Sequence, residues 1–148
     1  MSENAAVAAW EALFRAQVSV LRELQRDFPE SDISFNEYDV LFNLSRQDGH
    51  RLRIRDLNRH LLLTQPSVSR MVDRLAARGL VRKESDPGDG RGTVVCLTDA
   101  GYGLFRRVAA AHSDSIRRHV GSALNLDELE TLRTLSDRIR TRIESRVD

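Results

Sequence analysis

The stretch Leu63-Thr64-Gln65-Pro66-Ser67-Val68-Ser69-Arg70-Met71-Val72-Asp73-Arg74-Leu75-Ala76-Ala77-Arg78-Gly79 decides the fold. Val68, Met71, Val72 and Leu75 recur at the spacing that lines up one side of a helix. Thr64 offers a side-chain oxygen to the first turn, and Pro66 sits within that turn, where its missing N–H costs little. Gly79 supplies the stop. With the apolar stripe turned inward, Gln65, Ser67, Ser69, Arg70, Asp73 and Arg74 face outward, the first of them nearest the helix start.

Just upstream, Ile54, Leu57, Leu61 and Leu62 suit a short helix, so two helices meet at a tight turn around Leu63-Thr64. The preceding Arg51-Leu52-Arg53 is long enough only for a minimal strand. Downstream, Leu80–Ser85 and Thr93–Leu97 read as strands. Between them, Asp86-Pro87-Gly88-Asp89-Gly90-Arg91-Gly92 has turn chemistry throughout, which predicts a hairpin with a flexible, basic tip. Arg91 stands free among glycines there, with Asp89 placed to orient it by pairing. Helix, tight turn, helix and hairpin in that order make a winged helix-turn-helix, whose second helix enters the major groove of DNA.

Farther out the pattern is helical. Val7, Trp10, Leu13, Phe14, Val18, Leu21 and Leu24 predict a long first helix over 5–28, interrupted at Pro29–Asp32. Ser34 with Glu37 is a capping box for a second helix that runs to Arg46 and ends at Asp48-Gly49. After Thr98-Asp99, Leu104, Phe105, Val108, His112, Ile116 and Val120 continue a helix to about Ala123. A last helix beginning near Leu126 aligns Leu129, Leu132, Leu135, Ile139 and Ile143. The expected fold is mainly α with a small β-hairpin wing, in one domain of residues 1–148. Within it, 34–98 form the winged helix-turn-helix lobe, and 1–33 with 99–148 supply long terminal helices for dimerisation. Those helices carry more apolar surface than a lobe this small covers alone, so a homodimer is expected.

Charge supports the same reading. The 148 residues carry a net charge of only +1. Residues 51–91, however, hold ten Lys/Arg against five Asp/Glu, a net +5 that leaves −4 for the remainder. A basic middle between slightly acidic ends suits a phosphate-facing lobe, with double-stranded DNA as partner. Gln65 can pair with adenine and Arg70 with guanine, while Ser67 and Ser69 can donate to a base or a phosphate. Pro66 lies at the same helix start. Arg74, a turn later, and Arg55 suit phosphate contacts, and Arg91 suits the narrow, negative minor groove.

Two motifs carry a family resemblance. Asp89-Gly-Arg91-Gly-Thr-Val-Val-Cys-Leu97-Thr98-Asp-Ala-Gly101 resembles the wing signature of the MarR family: Asp and Arg one residue apart, then a strand ending in Leu-Thr with Gly three beyond. Ser67-Val-Ser69-Arg70-Met-Val-Asp73-Arg74-Leu75, followed by Gly79-Leu80-Val81, is similar to that family's recognition helix and its exit into the wing. The resemblance implies that Ser67, Ser69, Arg70 and Arg91 contact DNA and that the first and last two helices build a two-fold dimer. It also implies regulation of transcription, by repression, through a pseudo-palindromic operator. Two positions depart from the pattern: Arg55 stands where a small polar cap usually precedes the third helix, and Asn58 replaces a small apolar residue.

The resemblance further implies a small-molecule effector, often phenolic or anionic, held where the dimer helices meet the DNA lobe. Trp10, Phe14, Tyr38, Phe42, Arg53 and His112 are the candidate lining, although aromatic residues at helical spacing more commonly form core. Cys96, between Val95 and Leu97, reads as a buried, inert thiol. His112 and His119 lie seven apart, without the Cys or carboxylate partners of a metal site, and no metal or cofactor is expected. No nucleophile elbow, P-loop, zinc-protease or dinucleotide fingerprint is present, so the chain does not read as an enzyme. With neither a leader peptide nor a membrane span legible, a cytoplasmic location is expected. The competing reading is a winged-helix module for protein interaction without specific DNA binding, which would lack a basic outer face.

Overall fold

The computed structural model describes residues 2–29, 32–61 and 63–146. The chain divides into two compact units, Phe28–His112 and Met1–Asp27 with Ser113–Asp148.

The first unit opens with α2 (Phe35–Ser45), fixed at its start by the expected capping box. The Ser34 hydroxyl accepts from the Glu37 N–H at 3.1 Å, and the Glu37 carboxylate accepts from the Ser34 N–H at 2.9 Å. Gly49, at φ +67°, turns the chain through a short 3-10 segment into β1 (Arg51–Arg53). There follow α3 (Ile54–His60), α4 (Gln65–Ala77), β2 (Val81–Asp86) and β3 (Asp89–Leu97). The minimal strand is real, because β1 pairs antiparallel with β3, Leu52 opposite Val95, and completes a three-stranded sheet in the order β1-β3-β2. Leu62, expected in the core of α3, lies outside the described residues.

The hairpin differs from its sequence reading. Its turn is only Pro87-Gly88, and Asp89 to Gly92 belong to β3 rather than to a glycine-rich loop. Antiparallel pairing claims every residue it can satisfy. Neither Gly90 nor Gly92 adopts positive φ, so the glycines are not there to turn the chain.

The core of this unit joins α2, α3, α4 and the inner face of the sheet, where Val40, Leu41, Leu44, Leu57, Val68, Val72, Leu75 and Val95 are fully buried. Phe28 and Ile33 close it from one end, and Leu104 and Val108, on α5 (Asp99–Ile116), from the other. Leu-Thr-x-x-Gly now has a physical meaning. The Thr98 hydroxyl donates to the Gly79 carbonyl at 2.6 Å and accepts from the Gly101 N–H at 3.0 Å. A Cβ on Gly101 would stand 2.0 Å from the Leu80 carbonyl oxygen, so only glycine lets α5 start there.

In the second unit, α1 (Ser2–Asp27) ends at Asp27, whose carboxylate receives Ser115 Oγ at 2.8 Å and His119 Nε2 at 2.7 Å. His119 lies on a π-helical turn, Arg117–Gly121. These bonds, that from His119 foremost, hold the Asp27 carboxyl below its usual range. After that turn, α6 (Leu126–Glu144) opens with a second capping box, Asn125 with Glu128.

Candidate nucleic-acid interface

The geometry of α4 follows from its ends. Thr64 caps it, its Oγ1 accepting from the Ser67 N–H at 3.4 Å, and Pro66 stands in the first turn. At the other end Gly79, with φ +72°, sends the Gly79 and Leu80 N–H groups back to the Ala76 and Leu75 carbonyls, each at 3.0 Å. This paired closure satisfies the last carbonyls of the helix and stops it. Val68, Met71, Val72 and Leu75 are buried, and Gln65, Pro66, Ser69, Arg70 and Arg74 are exposed. The inward and outward faces are those read from the spacing.

Ser67, half-buried, is already engaged: its Oγ accepts from Thr64 Oγ1 at 2.9 Å and from Arg70 Nη2 at 3.4 Å. Its own hydroxyl hydrogen remains available for donation outward. Asp73, the acid on the outer face, is paired with Lys83 on β2. Sequence reasoning missed that pairing, which lies across ten residues and depends on the turn of the chain at Gly79.

Ion pairing sorts the basic segment in two. Arg51 and Arg82 share Glu84, Arg53 holds Asp86, Arg59 meets Asp56, and Lys83 meets Asp73. Among the described residues, no ion pair involves Arg55, Arg70, Arg74, Arg78 or Arg91. Four of those five are the cations selected from the sequence, and a cation without an internal partner keeps its full charge for an external anion. Arg91 is exposed on β3 beside the hairpin turn. The Asp89 carboxylate does not pair with its guanidinium but accepts its backbone N–H at 3.1 Å.

Arg55 sits differently from expectation. The cap residue of α3 is Arg53, without a side-chain capping bond, and Arg55 is exposed in the first turn behind it. Asn58 registers as a real departure, because its buried Oδ1 has no hydrogen-bond partner among the described residues.

Of the proposed effector residues, Tyr38, Phe42 and His112 come together in the first unit. His112 stands edge-on to Phe28, Phe35 and Tyr38, with Tyr38 centred 5.0 Å away, and Tyr38 stacks on Phe42 at 6.4 Å. Burial pushes the His112 imidazole below its ordinary range and the Tyr38 hydroxyl up to about 12. Nδ1 of His112 is buried without a hydrogen-bond partner among the described residues. Arg53 is paired with Asp86, and Trp10 and Phe14 belong to the other compact unit. His119 is bound to Asp27. Cys96 is buried, and desolvation raises its thiol above the ordinary range, as an inert thiol requires.

Comparison with known proteins agrees with this geometry. Residues 31–92 match the model of the MarR family. The HTH-type transcriptional regulator PecS of Dickeya dadantii is 27% identical over 128 residues, covering 86% of this chain and 76% of PecS. Sco3205 of Streptomyces coelicolor, a MarR family transcriptional regulator solved in complex with DNA, is 28% identical. It superposes with a TM-score of 0.75 over 90% of this chain and 84% of its own. BpsR of Bordetella bronchiseptica, whose DNA binding is regulated by 6-hydroxynicotinic acid, is 25% identical, with a TM-score of 0.72 over 88% and 91% of the two chains. A capped helix with a basic outer face, a wing bearing an arginine without an acidic partner among the described residues, and these likenesses make the chain similar to the winged helix-turn-helix transcription regulators of the MarR family.

Proposed function

We propose that the chain is a cytoplasmic, ligand-responsive repressor that binds a pseudo-palindromic operator as a homodimer. In this reading α4 enters the major groove with Gln65, Pro66, Ser67, Ser69 and Arg70 at its leading end. Arg55 and Arg74 hold phosphates, and Arg91 reaches the minor groove. The observation that carries it is the sorting of charge, in which internal acids pair with Arg51, Arg53, Arg59 and Arg82 and leave these four, with Arg78, without an acidic partner among the described residues. A protein-interaction module has no need of such a face.

Homodimerisation is supported by the helices of the second unit. On α1, Trp10 and Phe14 are 60% and 52% exposed, and on α6 Leu132, Leu135 and Ile139 are 40%, 46% and 53% exposed. Large apolar side chains in such rows call for a cover. A two-fold dimer would present two copies of α4 roughly 34 Å apart, one helical turn of DNA. The division of labour follows: a DNA-reading lobe centred on 34–98 and dimer-forming helices from 1–33 and 99–148. For the effector, the regulated DNA binding of BpsR and the His112 Nδ1, buried without a partner among the described residues, support a small aromatic anion. Tyr38, Phe42 and His112 are then its contacts in the first unit.

The test is a fluorescence-anisotropy titration of the purified protein against the promoter region of its own gene and an unrelated duplex, at two salt concentrations. Tight, salt-dependent binding with preference for its own promoter is the expected result. Equal, weak binding to both duplexes leaves the protein-interaction reading in its place.

A further inference from the structure

Asp86 is an odd residue for the end of a hairpin. A carboxylate beside a two-residue turn is ordinarily solvated, yet Asp86 is only 5% exposed. Both of its oxygens are used. Oδ2 meets Arg53 Nε at 2.7 Å, and Oδ1 accepts from the Gly88 N–H at 2.9 Å. The pairing of β2 with β3 slips between Ser85 and Asp86, which brings Asp86 opposite Asp89. A little farther along β3, a Cβ on Gly92 would stand 3.1 Å from the Asp86 Cβ, 3.3 Å from its Oδ2 and 3.3 Å from the Asp89 carbonyl oxygen. A side chain there would press on Asp86.

One buried carboxylate thus ties three parts of the lobe. Arg53 ends β1 and is the cap residue of α3, Gly88 is the turn, and Gly92 follows Arg91 directly in β3. We propose that Asp86 and Arg53 are positioning residues that fix the wing to the helix-turn-helix, so that Arg91 reaches DNA only while their ion pair is intact. The inference rests on the reading that α4 and the wing contact DNA. Neither residue needs to touch the nucleic acid, and the Arg53 charge is already committed.

Electrostatics gives the idea a sharp sign. Asp86 places a negative charge near a phosphate-facing surface, so its loss alone should relieve repulsion and tighten binding. A positioning role predicts the opposite. In anisotropy titrations of the full chain on its own promoter duplex, Asp86→Asn is expected to weaken binding about tenfold, lowering the salt slope by about one phosphate contact. Gly92→Ala, which changes no charge and presses on the same contact, is expected to act in the same direction. Arg91→Ala should weaken binding in the wild-type background and add nothing to Asp86→Asn, the non-additivity of groups that act as a unit. Binding by Asp86→Asn as tight as wild type or tighter, or an equal loss from Arg91→Ala in both backgrounds, overturns the inference alone. If Arg91→Ala has no effect even in the wild type, the wing contact fails and the inference falls with it.

A second readout needs no DNA and guards against a variant that merely misfolds. The Arg53 Nε resonance of the free protein, set beside a carboxylate in the wild type, should shift in Asp86→Asn with the remaining amide spectrum preserved. An Arg53 Nε resonance that Asp86→Asn leaves unmoved overturns the latch directly.

Discussion

Arg70 is both a donor to Ser67 and, among the described residues, a cation without an acidic partner, so the protein orients it without neutralising it. Arg70→Ala is expected to cost about 1–3 kcal/mol on the operator and to relax preference at one base pair, measured by anisotropy on a panel of single-base operator variants. Uniform loss across the panel would reassign it to a phosphate. Asp39 illustrates the converse, a charge the fold tolerates poorly. Burial raises its carboxyl from 3.8 to about 6, and no cation pairs with it among the described residues. The folded state thus holds the proton more tightly than the unfolded chain, so stability present below about pH 4 is lost as pH rises through about 6. Asp39→Asn keeps the shape without the charge. It is expected to gain about 1–2 kcal/mol at pH 7 and to flatten denaturant midpoints between pH 4 and 7. No gain at pH 7 would show that the carboxylate has a partner in solution.

At the scale of elements, the exit from α4 is built from three strands of logic that meet at one point: the Gly79 closure, the Thr98 hydroxyl and the bare Cα of Gly101. Gly101→Ala would drive a methyl into the Leu80 carbonyl, a backbone atom that cannot step aside. We expect a loss of at least about 3 kcal/mol, read as a fall in denaturation midpoint, with DNA binding lost in parallel. A fully stable Gly101→Ala protein would mean that α5 starts elsewhere. The helix boundaries were legible because caps are local: Ser34 with Glu37, Thr64 and Gly79 each act within a few residues of themselves. Asn125 with Glu128 carries the same local signal for α6. The hairpin is legible but the length of its turn is not, because a run of glycine, aspartate and proline is turn chemistry in isolation, whereas here two of its glycines serve a strand. The free or paired state of each arginine was not legible at all. It depends on sheet register, which sets Glu84 within reach of Arg82 on its own strand and Arg51 across the sheet.

At the scale of the whole molecule, the charge sorting and the uncovered apolar rows belong to different units, which predicts that reading DNA and pairing of subunits can be separated by mutation. Leu135→Asp is expected to convert a dimer to monomers in analytical ultracentrifugation while leaving each monomer folded, because α6 contributes no buried residue to its own chain. Affinity for a full palindrome should then fall by at least about a hundredfold, towards that for a half-site, through loss of effective concentration. Unchanged sedimentation would remove α6 from the interface. The anchoring of α4 has one more outcome. Apart from the Asp73–Lys83 ion pair, what fixes this helix in place lies on its buried face, at its cap or beyond its C-terminal end, and among the described residues Gln65 and Ser69 at the leading end make no side-chain hydrogen bond or ion pair. Exchanging them should alter stability by no more than about 0.5 kcal/mol. In the proposed reading, operator preference can therefore drift through Gln65 and Ser69 while the fold beneath them stays the same, and a new target sequence is expected within one or two substitutions.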